Sequence, residues 1–236
     1  MAIIEIRGLA KWFGPLQALD DLSFDIEAGS VTGFLGANGA GKSTTLRILL
    51  GLVSADAGTA TIKGHDYPHL PEQLHQVGAV LEANAFHPGR TARAHLRIQA
   101  MAASADPSRI DDVLDLVELT SAADRRIGGF SLGMRQRLAL ATALIADPEI
   151  LILDEPANGL DPEGVRWLRD MLRGFASEGG TVLVSSHILA EVANTVDSVV
   201  IIDQGRLIRQ GSLAELTVGA TGLEDVYFQL TKEGHR

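Results

Sequence analysis

The stretch GANGAGKST, residues 36–44, constrains this chain more than any other. It follows SVTGFLG, an uncharged run of the kind expected for a strand buried on both faces. It leads into STTLRILLGLV, where Leu46, Leu49, Leu50 and Val53 recur at helical spacing. The glycine run therefore lies between a buried strand and a helix. Gly36, Gly41, Lys42 and Ser43 satisfy the pattern G-x-x-x-x-G-K-[S/T]. In such a loop the backbone curls so that successive N–H groups point inward, here from Ala37, Asn38, Gly39, Ala40 and Thr44 among others. The helix that starts there would add its positive end, Lys42 can reach the β- and γ-phosphates of a nucleotide, and Ser43 can ligate Mg²⁺. The competing reading is a plain glycine-rich turn.

The text on either side sets the fold class. IIEI, LSFDIEAG and GTATIKG read as strands, the last as a hairpin arm, and VGAVLE is a short buried strand ending at Glu82. From residue 87 to residue 147 the pattern turns helical. Thr91 is expected to cap ARAHLRIQAMAA, and Ser108 with Asp111 resembles a capping box. In SLGMRQRLALATALIA, Leu138, Ala141 and Ile145 share one face. Strands return in EILILDEP, GTVLVSSH and SVVIIDQG. The expected fold is α/β: a phosphate-loop core with a mixed sheet, an N-terminal antiparallel β part, and an inserted helical part over 87–147, all within one domain over 1–236.

Composition narrows the function classes. The net charge is −10, from 20 basic and 30 acidic residues, which argues against broad nucleic-acid binding. There is no cysteine, so neither a disulfide framework nor a cysteine metal site is available. The start, MAIIEIRGLA, lacks the pattern of a signal peptide, and no stretch reaches the length of an apolar membrane helix. The expectation is a soluble chain whose membrane role, if any, runs through a partner.

A nucleotide site also needs a carboxylate for Mg²⁺ at the end of a buried strand. Asp154 in ILILDEP and Asp203 in VVIIDQG both follow apolar runs. Gln-Gly after Asp203 favours a surface hairpin there. Asp154 is followed at once by Glu155, so one acid can serve the metal shell while the next faces an attacking water. The competing reading is a solvated strand end. His187 closes TVLVSSH, and parallel strands bring such tips to one edge. There His187 can sense a γ-phosphate, although a lone histidine after a strand is usually only a surface residue.

Together these residues resemble the ATP-binding cassette family, specifically the nucleotide-binding subunit of a transporter, over roughly residues 3–215. GANGAGKST matches the phosphate loop and ILILDEP the second nucleotide motif, with Glu155 in the catalytic position. NGLDP, with Asp161, resembles the loop that crosses a dimer interface, and SSH matches the switch histidine, His187. FSLGMRQRL resembles the family signature, keeping Ser131 and Gly133 but placing Leu132 where glycine and Met134 where glutamine is usual. KWFG falls where an aromatic ring meets adenine, with Phe13 the better positional match and Trp12 adjacent. Glu82 stands in place of a glutamine and is a candidate metal contact.

The resemblance implies an ATPase that energises export through a separate membrane permease, working as a peripheral subunit on the cytoplasmic face. It implies ATP and Mg²⁺ as ligands. It also implies a homodimer or paralogous pair in which Ser131, Gly133 and Met134 of one copy complete the site of the other. The wording of the signature points to bacterial export systems. The alternatives are a soluble cassette protein without transport and a GTP switch, the latter opposed by the lack of an Asn-Lys guanine-reading motif. His65, His69 and His75 with Asp66 form a loose stretch that reads as a solvated loop rather than a metal site.

Overall fold

The computed structural model describes residues 2–81, 85–218 and 222–227. The chain opens with two long strands, β1 (Ala2–Phe13) and β2 (Leu16–Glu27). Alternating burial along them places Ile4, Ile6, Leu22, Phe24 and Ile26 inward. Each such side chain stabilises the fold by about 1.5–3 kcal/mol on the usual transfer scale. After β3 (Val31–Leu35), with all five residues buried, come the glycine run and α1 (Lys42–Leu49). The next strand, β4 (Ala57–Ile62), pairs antiparallel with β1 rather than with a sequence neighbour. The first sheet is thus β2-β1-β4, and GTATIKG is its edge rather than an arm of a local hairpin.

A short helix, α2 (Gln73–Gln76), precedes β5 (Val77–Val80). Three helices follow: α3 (Ala92–Ala103), α4 (Arg109–Leu116) and α5 (Leu132–Leu144). The Thr91 side chain accepts from the Ala94 N–H and starts α3 as expected. Ser108 does not cap α4: its own N–H and hydroxyl both donate to Asp106 at 2.8 Å, so the capping-box expectation fails. The acceptor chemistry sits two residues upstream, in an aspartate turn that competes for the same groups. Leu138, Leu140, Ala141 and Leu144 of α5 are all buried, as befits a helix wedged between α3, α4 and the sheet. Gly78 permits that wedge, since a Cβ there would lie 2.2 Å from the Ala143 carbonyl oxygen.

The remaining elements are β6 (Ile150–Asp154), α6 (Pro162–Ser177), β7 (Thr181–Ser186), α7 (Leu189–Ala193), β8 (Ser198–Asp203), β9 (Arg206–Ser212) and α8 (Leu213–Leu216). The second sheet has the order β5-β6-β7-β3-β8-β9, parallel except for the antiparallel edge strand β9. Asp203 indeed leads a tight hairpin, with Gln204 and Gly205 both at positive φ. The order β6-β7-β3 sets three carboxyl ends side by side: Leu35 pairs with Ser186, and Asp154 with Ser185. That edge is where an open parallel sheet binds ligands.

His75 ties α2 to the helical part. Its two ring nitrogens lie 2.9 Å from the carbonyls of Ala146 and Ala103. His69 is exposed and pairs with Asp66 at 2.7 Å. Among the described residues no group of three or more histidine, cysteine or acidic side chains is placed to hold a metal.

Candidate nucleotide site

At the carboxyl edge of the second sheet a cavity of about 410 Å³ opens over the glycine run. Its floor is Gly39, Gly41, Lys42, Ser43 and Thr44, and its walls include Phe13, Asn38, Glu155 and His187. Gly41 makes the turn, with φ at 105°, in a conformation closed to other residues. Leu19 Cδ2 and the Ala18 carbonyl oxygen would lie 2.6 and 2.9 Å from a Cβ there, so β2 backs the loop closely. No side chain caps the start of α1. The first-turn amides of that helix therefore face the cavity as an anion cradle rather than being satisfied by a capping hydroxyl.

Lys42 is only 6% exposed. Its ammonium donates to the Gly36 carbonyl at 2.7 Å and the Ala37 carbonyl at 3.3 Å. It lies 3.4 Å from Glu155 Oε1. Glu155 Oε2 is in turn 2.8 Å from His187 Nδ1. The ammonium, carboxylate and imidazole thus form one connected line across the mouth of the loop. Glu155 takes a left-handed backbone conformation, φ 51°, which costs a non-glycine residue about 1–3 kcal/mol when imposed by its surroundings. Such strain fits a side chain held for a purpose.

Ser185 imposes that conformation. Its hydroxyl is fully buried, donates to Asp154 Oδ1 at 2.5 Å, and accepts from the Glu155 N–H at 2.9 Å. One buried hydroxyl therefore sets both acids and leaves Asp154 Oδ2 for another partner. The positioning role of Ser185 follows from the β6–β7 register, which no local pattern displays.

The aromatic wall has a similar hidden support. Phe13 is about half exposed, and the Lys11 ammonium lies 5.5 Å from its ring centroid. Asp56 anchors this corner, accepting from the Trp12 N–H at 2.6 Å and the Lys11 ammonium at 3.0 Å. These bonds, the backbone one first, hold the Asp56 carboxyl below its ordinary pKa. Residues 223–227 are helical and bring Tyr227 beside the loop, where it bonds the Ala37 backbone. Burial, with Asp203 nearby, pushes the Tyr227 phenol up.

Other residues singled out from the sequence stand elsewhere. Ser131 caps α5 by accepting from the Met134 N–H at 3.2 Å, and Met134 packs partly into the core. Asp161 caps α6 by accepting from the Gly164 N–H at 2.8 Å. Ser131, Gly133, Met134 and Asp161 do not line the cavity. Glu82 lies outside the described residues.

The ABC transporter family model matches residues 19–158. The bacitracin transport ATP-binding protein BcrA of Bacillus licheniformis is 41% identical over 88% of this chain and 69% of its own length. The lantibiotic transport ATP-binding protein SrtF of Streptococcus pyogenes is 36% identical over 95% of this chain and 96% of its own. Among solved structures, one described as the ATP-binding subunit of an ABC transporter superposes with a TM-score of 0.87 at 28% identity. It covers 97% of this chain and 99% of that one.

Proposed function

Since this chain belongs to the ABC transporter family, we propose that its loop at 36–44 binds ATP and that Glu155 directs hydrolysis to power a membrane permease. The chain is an ATP-binding, ATP-hydrolysing subunit. The observation that carries the site assignment is the line Lys42–Glu155–His187 at the cavity mouth. The amides of residues 37–44 and the Lys42 ammonium neutralise the β- and γ-phosphates. That ammonium exchanges its carbonyl and carboxylate contacts for phosphate oxygens. Glu155, relieved of Lys42, accepts a hydrogen bond from the attacking water and orients it in line with the γ-phosphorus. His187 holds the second oxygen of Glu155 and stands where it can contact the γ-phosphate. The Phe13 ring stacks on adenine.

The residues present also fit Mg²⁺: the Ser43 hydroxyl at the start of α1 and the Asp154 carboxylate, one oxygen of which is already fixed by Ser185. When bound, that ion neutralises charge on the phosphates.

The placement of Ser131 away from the cavity supports a two-copy site. In this reading the capped tip of α5 faces the γ-phosphate held by a second cassette, and Asp161 lies along the seam. The relatives named for bacitracin and lantibiotic transport favour export, and a peripheral location on the cytoplasmic face, over a soluble cassette without transport. Glu155→Gln tests the chemistry. It should keep nucleotide affinity while turnover falls by about a hundredfold or more, within the usual range for losing a general base. Turnover near the wild-type rate would remove Glu155 from that role.

A further inference from the structure

The tip of α5 rests on the loop that leaves Glu155. Gly159 in that loop has φ 82°, and a Cβ built on it would lie 2.2 Å from Leu132 Cδ2 and 2.5 Å from Leu132 Cγ. The side chain of Leu132 therefore lies flush against a backbone that only glycine allows to come so near. A Cβ on neighbouring Gly133 would sit 3.5 Å from the Gly159 carbonyl oxygen and 3.7 Å from Leu160 Cδ2. The contact thus extends across consecutive residues on both sides. Within the loop the Asn158 N–H donates to the Glu155 carbonyl at 3.1 Å, and the Leu160 N–H donates to the Ala157 carbonyl at 3.1 Å. Both bonds are internal to the loop. They shape it, Pro156 is buried, and Ala157 and Leu160 pack against the core, which leaves the exposed pair Asn158 and Gly159 to the Leu132 contact. Leu132 is 44% exposed, so its value to the core is small and its packing partner is the loop itself.

We propose that Leu132 is a positioning residue for hydrolysis: pressed against Gly159, it fixes the loop from Glu155 to Leu160 and so sets the direction of the Glu155 carboxylate. The inference rests on the reading of Glu155 as the group that orients water. Glu155 is held on one side by Ser185 through its N–H and on the other by this loop. Ser185 fixes where the residue begins, and Leu132 fixes where the chain goes next. A loop freed on the second side lets the carboxylate drift by a fraction of an ångström, which is enough to lower the chemical rate while leaving the phosphate cradle intact. The same contact ties the tip of α5 to the acid in its own chain, so a push on Ser131 is felt at Glu155.

The test is a double-mutant cycle on steady-state ATP hydrolysis. Leu132→Gly should lower kcat by about tenfold with KM for ATP and the melting temperature nearly unchanged. Leu132→Met, which keeps the contact, should retain at least about half of wild-type kcat. Gly159→Ala should also lower kcat. Combined with Leu132→Gly it should cost less than the product of the two, because the clash is gone. A Leu132→Gly kcat within twofold of wild type would overturn the proposal. So would a double variant whose losses simply multiply, since Leu132 would then act elsewhere. Failure of the underlying reading shows separately, as Glu155→Gln retaining turnover.

Discussion

The phosphate loop and the tip of α5 are both helix starts, and they are built in opposite ways. At the loop, three glycines leave the helix without a cap, Lys42 is buried, and Glu155 from the end of β6, held by His187 from the end of β7, reaches it. At the tip, Ser131 caps the helix, Leu132 lies half exposed, and the nearest loop is the one that leaves Glu155. The first is a finished anion cradle whose charges already pair with one another. The second is a surface that rests on its own chain through Leu132, Gly133 and Met134. A site can be complete in its chemistry yet open on one side, and in the proposed two-copy reading the open side is where the tip of another copy fits.

Removing the cradle's cation should have the largest effect. Lys42→Ala deletes the one buried ammonium among the described residues and should lower turnover by about a hundredfold or more, read as phosphate release. Persistence of the wild-type rate would place the site elsewhere. The tip should respond differently. Ser131→Arg should reduce turnover by about tenfold or more while leaving the affinity of the isolated chain for a fluorescent ATP analogue unchanged, because Ser131 does not line the cavity. A matching loss of affinity would erase the distinction between the two regions. Ser185→Ala should destabilise the fold by about 1–3 kcal/mol, the cost of leaving the buried Glu155 N–H unpaired, and should lower turnover as well. Thermal unfolding alongside the ATPase assay separates the two losses.

Much of the cradle was legible in the sequence because its signals are local. An uncharged strand, three glycines and an apolar helix period sit within residues 30–53, and the Asp154–Glu155 pair ends another uncharged run. What supports the cradle was not legible. Ser185 reaches Asp154 through strand register, Asp56 reaches Trp12 from 44 residues away, and Tyr227 returns from the far end of the chain. Local reading also failed at α4, where the pairing of Ser108 with Asp111 was outweighed by an aspartate only two residues before the serine. The Leu132–Gly159 contact had half a signal, an unusual leucine in the signature, but its partner is visible only in three dimensions.

The smallest expected effect concerns His95, inside the helical part. Its ring is buried, sits edge-on to Phe86 at 5.0 Å, and has Nε2 3.1 Å from the Thr142 hydroxyl. That hydroxyl donates to the Leu138 carbonyl, so it accepts from Nε2–H. Burial, and secondarily Arg90, lowers its pKa below the ordinary 6.5. The unfolded chain then takes up a proton that the folded chain refuses. The stabilisation is therefore full above pH 6.5 and declines as pH falls below it. His95→Gln should flatten that part of the melting-temperature profile. An unchanged profile would show that His95 is not the group being titrated.

The sedimentation of Glu155→Gln with and without ATP and Mg²⁺ tests the two-copy site most directly. The account predicts a monomer that becomes a dimer when ATP is added and stays a monomer when Ser131→Arg is introduced. A protein that binds ATP at the loop yet remains monomeric at every concentration of nucleotide would contradict it.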